Sequence, residues 1–408
     1  MSRSSPASPS ATSPPRCSTG CRLKVGVVGC GVAGLAAALA LARRGHSVVL
    51  LEAFETPRPR GSGLLLQPSG LAAMRALGLK EAILARGARV ERLEGRDLAG
   101  REPMRMAYST WRPGAFGLGV HRASLFDVLF QAVQAVGIDV RTGAAITGFD
   151  ALTSPTLADA TGRRHGPFDL VVVADGSASS LRAKVRPRAR APIYPWGAVW
   201  ANATAGPAFE GALRQRYDRS EVMAGVLPIG GGEVSFFWSL PVRSMETWAA
   251  GDFTVWRDRV LGVWPQVEQI VAQFTGPEAF SQAVYRDVSV GRWCAGAFVL
   301  IGDAAHGTSP QLGQGANLGL IDAVELAARV EHPEDLPRYQ RVRRLQTAPY
   351  QLFSRALTPL FQSAGPLGPW VRNALFTPLA QAPLLDRIAA TTLTGMFRLG
   401  LTPPDLRP

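Results

Sequence analysis

The sequence predicts an α/β protein: a mostly parallel sheet with helices on its faces, interrupted by a largely antiparallel sheet and followed by a helical C-terminal segment. Three observations predict it. The stretch 22–52 reads strand, glycine-rich turn, helix, strand. The same buried-strand texture returns near residue 297 in "AFVLIGDAA". Between them, from about 190 to 290, the segments become short and aromatic. Alternating strands and helices imply a parallel sheet, because a parallel connection needs a crossover.

The elements follow in order. "RLKVGVVG" (22–29) is a short β-branched run ending in glycine, the pattern of a strand buried on both faces. "VAGLAAALALARRG" continues as a helix stopped by Gly45, and "SVVLLE" (47–52) is the second strand. "HRASLFDVLFQAVQAVG" (121–137) is an amphipathic helix with Leu125, Val128, Leu129, Ala132, Val133 and Val136 on its apolar stripe. "FDLVVVADG" (168–176) is another buried strand, ending in Asp-Gly. "VMAGVLPIGGGEVSFFWSLP" reads as a hairpin turning at Gly230-Gly231-Gly232, with Phe236 and Trp238 on the face opposite Phe237. Residues 351–408 are helical in pattern but interrupted by Pro359, Pro366, Pro369, Pro378 and Pro383.

Composition narrows the class. The chain has 408 residues, 47% hydrophobic and 18% charged, with a net charge of +13. That is a soluble globular balance with material for two or three structural units. The basic residues are scattered and no nucleic-acid motif is present, so nucleic acid is not expected as a partner. Four cysteines, Cys17, Cys21, Cys30 and Cys294, form no disulfide framework and no metal set, which suits a reducing cytoplasm. Residues 1–21 are Ser/Pro/Thr-rich without an apolar core, so a disordered tail is expected there rather than a secretory signal. "VAGLAAALALA" is too short to span a bilayer.

Gly29, Gly31 and Gly34 form G-x-G-x-x-G between the first strand and helix. The first glycine permits the tight turn, the second lets backbone approach a pyrophosphate, and the third lets helix pack on strand. The helix start, through Val32 and Ala33, then offers N–H groups to phosphate. Glu52, followed by Ala53, ends the second strand, where a carboxylate accepts from ribose hydroxyls. An acid at this place disfavours a 2′-phosphate, leaving FAD or NAD. Asp303 ends the later strand "AFVLIGDAA", where it suits a sugar-alcohol chain such as the flavin ribityl. "GQGAN" (313–317) opens the next helix, whose N–H groups and dipole suit negative charge on a flavin ring. An acid followed by such a helix start has a use for a flavin and none evident for NAD.

These motifs resemble those of the class A flavin-dependent aromatic hydroxylases, the group of para-hydroxybenzoate and salicylate hydroxylases. "DGSASSLR" is similar to the family's Asp-Gly motif at Asp175, Gly176, Ser179 and Arg182. "GDAAHGTSPQLGQGANLGLIDA" is similar to its Gly-Asp motif at Gly302, Asp303, His306, Pro310, Gly313 and Gly315. "HRASL" places Arg122 where the family has a flavin-contacting arginine. The resemblance covers roughly residues 22–345. It implies a Rossmann-type FAD-binding domain from 22–190 and 285–350, an inserted substrate domain from 191–284, and a C-terminal helical region from 351. It also implies non-covalent FAD, NAD(P)H as reductant, and oxygen transfer to a small aromatic or polycyclic substrate through a hydroperoxide at flavin carbon 4a. Epoxidase, halogenase or polyprenyl reductase chemistry on the same fold remains the alternative, although the W-x-W-x-I-P segment of flavin halogenases is missing.

The residues expected around the flavin ring are Pro310, Gly313, Gln314, Gly315, Ala316 and Asn317, with Pro310, Gly313 and Gly315 closest to the chemistry. Their role is positional. Arg60 and Gly63, on the Pro/Arg/Gly-rich stretch after Glu52, are further cofactor candidates. His306 is expected to brace its loop rather than move protons. Arg182 is open between a phosphate contact and a helix-start network. The basic C-terminal helix pattern at 383–401 is expected to pack on the flavin domain, with a membrane surface as the other reading.

Overall fold

The computed structural model describes residues 22–57, 63–365, 367–379 and 383–397. The tail at 1–21, with Cys17 and Cys21, and the candidate Arg60 lie outside the described residues.

Strand Lys24–Val28 runs parallel to Ser47–Leu51 on one side and to Leu170–Val173 on the other. Phe298–Leu300 extends the sheet beyond Leu170–Val173, and Asp139–Arg141 extends it beyond Ser47–Leu51. Only the short strand Cys294–Ala295 is antiparallel. Helix Val32–Arg43, the fingerprint helix, is buried from Gly34 through Leu41. It is sandwiched, which explains its alanine content: small side chains let the sheet and the helix Gly315–Arg329 approach it from two sides.

The second sheet is broader than expected. Its order runs from Ser281–Ala283 through Trp196–Thr204, Glu233–Pro241, Val222–Gly230, Gly211–Asp218, Gly87–Asp97 and Gly117–His121 to Gly63–Leu66. Only Gly211–Asp218 and Gly87–Asp97 pair in parallel. Four of its strands, counting Met104–Ala107 on the edge of Gly87–Asp97, therefore precede residue 190. The expected substrate unit at 191–284 supplies only part of this sheet. Ladder pairing joins distant segments, and no local pattern in either reveals its partner.

The alternation across Phe236, Phe237 and Trp238 is as expected. Phe236 and Trp238 pack edge-on against Trp256, beneath the helix Phe253–Val263. Phe237 points the other way, its ring 4.6 Å from that of Trp200, in a cluster with Tyr217, Met223 and Phe361. The hairpin turns at Gly230, Gly231 and Gly232, all at positive φ.

The C-terminal region begins earlier than the proline pattern suggests. One helix runs from Leu336 to Phe361 with Pro349 and Pro359 inside it. An interior proline forfeits a backbone bond and costs roughly 3 kcal/mol. Burial of Tyr339, Arg343, Gln346, Tyr350 and Ser354 along one face offsets it. The helix Pro383–Leu393 then brings Ala390 and Leu393 into a cluster with Leu312, Leu318 and Tyr350, which matches the packing expectation, while Ile388 stays 46% exposed. Among the described residues, no helix is long and apolar enough to cross a membrane.

Candidate functional site

The three fingerprint glycines have three different surroundings. Gly29 sits at φ +103, and a Cβ there would lie 2.6 Å from the Ala174 carbonyl. At Gly34 a Cβ would lie 1.9 Å from the Gly29 carbonyl oxygen, so this glycine sets how closely helix meets strand. Gly31, the N-cap, is the exception: its φ of −82 is ordinary and a Cβ would meet nothing within 4 Å. A glycine with no protein reason to be glycine, beside the unpaired N–H groups of a helix start, leaves space for something else.

Glu52 is buried at the end of its strand, accepting from the Cys30 amide at 2.7 Å and the Phe54 amide at 3.0 Å, one on each oxygen. Each oxygen keeps a second lone pair for a hydroxyl donor. Burial pushes the Cys30 thiol up to about 12, and the Glu52 charge adds to the rise. Cys30 is therefore a small apolar filler of the turn.

The Gly302–Asp303 turn lies against the same helix start. A Cβ on Gly302 (φ +56) or on Gly319 would come within 2.9 Å or 3.2 Å of the Ala33 Cβ. Ala33 thus wedges between the end of strand Phe298–Leu300 and the helix Gly315–Arg329. Asp303 is exposed, and its Oδ1 lies 3.6 Å from where a Gly315 Cβ would be. Gly313, left-handed at φ +60, turns the chain into that helix. The amides of Gly315, Ala316 and Asn317 occupy its first turn and have no intrahelical acceptor. Ser309, just before Pro310, is tied down by 2.7 Å hydrogen bonds to Ser354 and Thr358.

Several expected residues have other duties. The Asn317 side chain is spent on the chain itself, donating to the Leu65 and Gly313 carbonyls and accepting from the Gln67 amide at 2.9 Å. Only its backbone amide stays available to a ligand. Gly63 donates its amide to Ser235 Oγ, and a Cβ there would collide with the Ser235 side chain at 2.5 Å; its close approach is to the second sheet. Arg182 donates from Nε to the Ala304 carbonyl and from Nη2 to the carbonyls of Gly176 and Ser177, so it joins the Asp-Gly and Gly-Asp motifs through backbone. Asp175 accepts from the Ser180 amide while its Oδ1 is buried without a partner among the described residues, and burial raises its carboxyl above the usual range. His121 caps its helix by accepting from the Ala123 amide, leaving Arg122 exposed at the first helical position.

His306 is buried and donates to Asp322 at 2.5 Å, as a brace. Asp322 itself was not among the expected site residues. Burial alone would raise its carboxyl; the charges of His306 and Arg343 outweigh burial and hold it at about 2. Tyr285 was also missed: its hydroxyl accepts from Trp200 Nε1 at 3.2 Å. Burial raises the Tyr285 hydroxyl, with Trp200 and the charge of Arg122 opposing the rise.

This donor set fits an extended flavin dinucleotide. Gly31 opens a cradle at one helix start, Glu52 stands ready for ribose, and Asp303 leads to a second helix start packed on Ala33 through Gly302 and Gly319. Among the described residues no His/Cys/Asp/Glu group could hold a metal ion.

A sequence-family profile described as FAD binding domain matches residues 22–334. Among curated relatives, 3-amino-4-hydroxybenzoate 2-monooxygenase of Streptomyces cremeus is 30% identical over 360 residues, covering 83% of this chain and 88% of that protein. Aurachin C monooxygenase/isomerase of Stigmatella aurantiaca is 27% identical over 379 residues, covering 91% of this chain and 97% of that one. In fold, the chain is similar to Klebsiella pneumoniae HpxO complexed with FAD and uric acid, with a TM-score of 0.78 at 21% identity over 91% of this chain and 97% of that one.

Proposed function

Since the chain belongs to the FAD binding domain family and is an FAD-dependent monooxygenase, we propose that it hydroxylates a small, flat aromatic or polycyclic molecule, with NAD(P)H and dioxygen as co-substrates. The relatives named above support a ring substrate, since one is named for an aminohydroxybenzoate. The observation that supports the reading is the Ala33 wedge, which packs the fingerprint helix start against Gly302 and against Gly319 of the later helix.

In this reading Gly29–Gly34, with Glu52 and Ala53, hold the adenosine diphosphate end. Asp303 holds the ribityl chain, and Pro310 with Gly313–Asn317 face the ring. Held by these residues, FAD would supply hydride acceptance from NAD(P)H and activation of dioxygen, one oxygen atom going to the substrate and the other to water. The protein's part is to orient and to stabilise charge. The amides of Gly315, Ala316 and Asn317 and the dipole of their helix stabilise negative charge at the ring. Trp200 and Phe237, whose rings lie 4.6 Å apart, form an apolar wall for the substrate. The Tyr285 oxygen already accepts from Trp200, which leaves its O–H to donate to an oxygen on the substrate ring.

Trp200→Ala should therefore raise KM on the order of tenfold, about 1.4 kcal/mol, while leaving FAD affinity unchanged. Steady-state kinetics and flavin titration would show the split, and an unchanged KM would remove Trp200 from the pocket. The function itself is tested by purifying the chain and screening phenols and polycyclic rings, following NAD(P)H loss and hydroxylated product together. Yellow protein and incorporation of label from ¹⁸O₂ are expected. A colourless chain that takes up no FAD would overturn the reading.

A further inference from the structure

The family match ends at residue 334, yet the chain beyond it supplies a buried polar network joined to both segments assigned to the ribityl and ring half of FAD. One Asp322 oxygen accepts from the Gly302 amide at 2.8 Å and from His306 at 2.5 Å, and the other accepts from Arg343 Nε at 2.6 Å. Arg343, 1% exposed, also donates to the Leu318 carbonyl at 3.2 Å and to the Gln346 side-chain oxygen. Gln346 in turn donates to the Gly395 carbonyl at 3.1 Å. The same C-terminal turn receives Gln314 Nε2 on the Leu393 carbonyl at 2.8 Å and the Tyr350 hydroxyl on the Thr392 carbonyl at 3.1 Å.

The network thus reaches Gly302, next to Asp303, and Gln314, next to Gly315. A buried ion pair is a poor device for stability alone, because desolvating two charges cancels most of their attraction. A hydrogen-bonded network does something apolar packing does not: it fixes distances and directions. The turn is shaped for this. Gly395 has φ +78, and a Cβ there would lie 2.0 Å from Ser69 Oγ and 2.8 Å from Gln314 Oε1.

We propose that Arg343, Gln346 and the Leu393–Gly395 turn are positioning residues that set the spacing between Asp303 and the helix start at Gly315. They act on the ribityl and ring half of FAD and not on its adenosine diphosphate half. The proposal rests on the assignment of these two segments to the flavin.

ADP, which can occupy only the fingerprint end, separates the two halves. Arg343→Met and Gln346→Leu, made in the full chain and stripped of flavin, should each weaken FAD binding on the order of tenfold. Their ADP affinity, measured by calorimetry, should stay within about twofold of the parent's. The visible bands of the bound flavin should shift in both, and Arg343→Lys, which keeps a donor to Asp322, should recover part of the loss. Equal weakening toward FAD and ADP would mean general loosening and would overturn the proposal, as would FAD binding and a flavin spectrum identical to the parent's. If Arg343→Met is not recovered folded, the neutral Gln346→Leu decides on the same readouts. A parent that binds ADP but not FAD would overturn the flavin assignment, and the proposal with it.

Discussion

Gly31→Ala is expected to weaken FAD binding on the order of a hundredfold or more while leaving the flavin-free chain folded. The backbone at Gly31 is ordinary, at φ −82, and the added methyl would meet no protein atom within 4 Å. As an N-cap change, it costs at most about 1 kcal/mol. For a chain of this size the melting temperature should therefore fall by only a few degrees. The methyl would, however, stand in the space the diphosphate is assigned, where backbone must approach closely. The Kd for FAD should rise on the order of a hundredfold or more, about 3 kcal/mol. Gly34→Ala makes the contrast. Its methyl would lie 1.9 Å from the Gly29 carbonyl, so the helix must move off the strand. That variant should lose stability and FAD together. Flavin titration and thermal melting of both variants check the pair. If Gly31→Ala retains FAD at parental affinity, the diphosphate does not lie over Gly31.

How much of this was legible follows from what each residue answers to. The fingerprint was readable because strand, glycines, helix and acid are consecutive and Gly34 answers to Gly29 five residues before it, although Gly29 itself answers to Ala174, far along the chain. The alternation at 236–238 was readable for the same reason. The duty of the Asn317 side chain was not legible, because its partners Leu65 and Gln67 are some 250 residues away along the chain. The tie of Gly63 to Ser235 was hidden in the same way, since the two are distant along the chain. The proline punctuation from Pro359 onward suggested breaks, and at Pro359 itself the helix continues, its other face buried. Asp322 did carry a signal: it is an acid within the apolar run "LGLIDAVELA", on a helix buried from Asn317 through Ala327. A carboxylate there demands a cation, but nothing in the sequence selects Arg343 from the other arginines on its helix.

Asp322→Asn should be the most destabilising single polar substitution on the ring helix. The change leaves the Arg343 guanidinium buried, 1% exposed, without its anion, and weakens the acceptor for both His306 and the Gly302 amide. Breaking one side of a buried pair costs roughly 3–5 kcal/mol. The pH dependence has a definite sign. The Asp322 carboxyl is held at about 2 in the folded chain, below the ~3.9 of an unfolded aspartate. Its contribution is therefore complete above the unfolded value and is lost as pH falls through the folded one. The gap in stability between parent and Asp322→Asn, read from urea midpoints, should be constant near neutrality and should narrow below about pH 4. The double variant Asp322→Asn/Arg343→Met should recover part of the loss, because it removes the unpaired charge along with its partner. A single variant that loses less than about 1 kcal/mol, or a double variant that simply adds the two losses, would mean that Asp322 and Arg343 do not act as a pair.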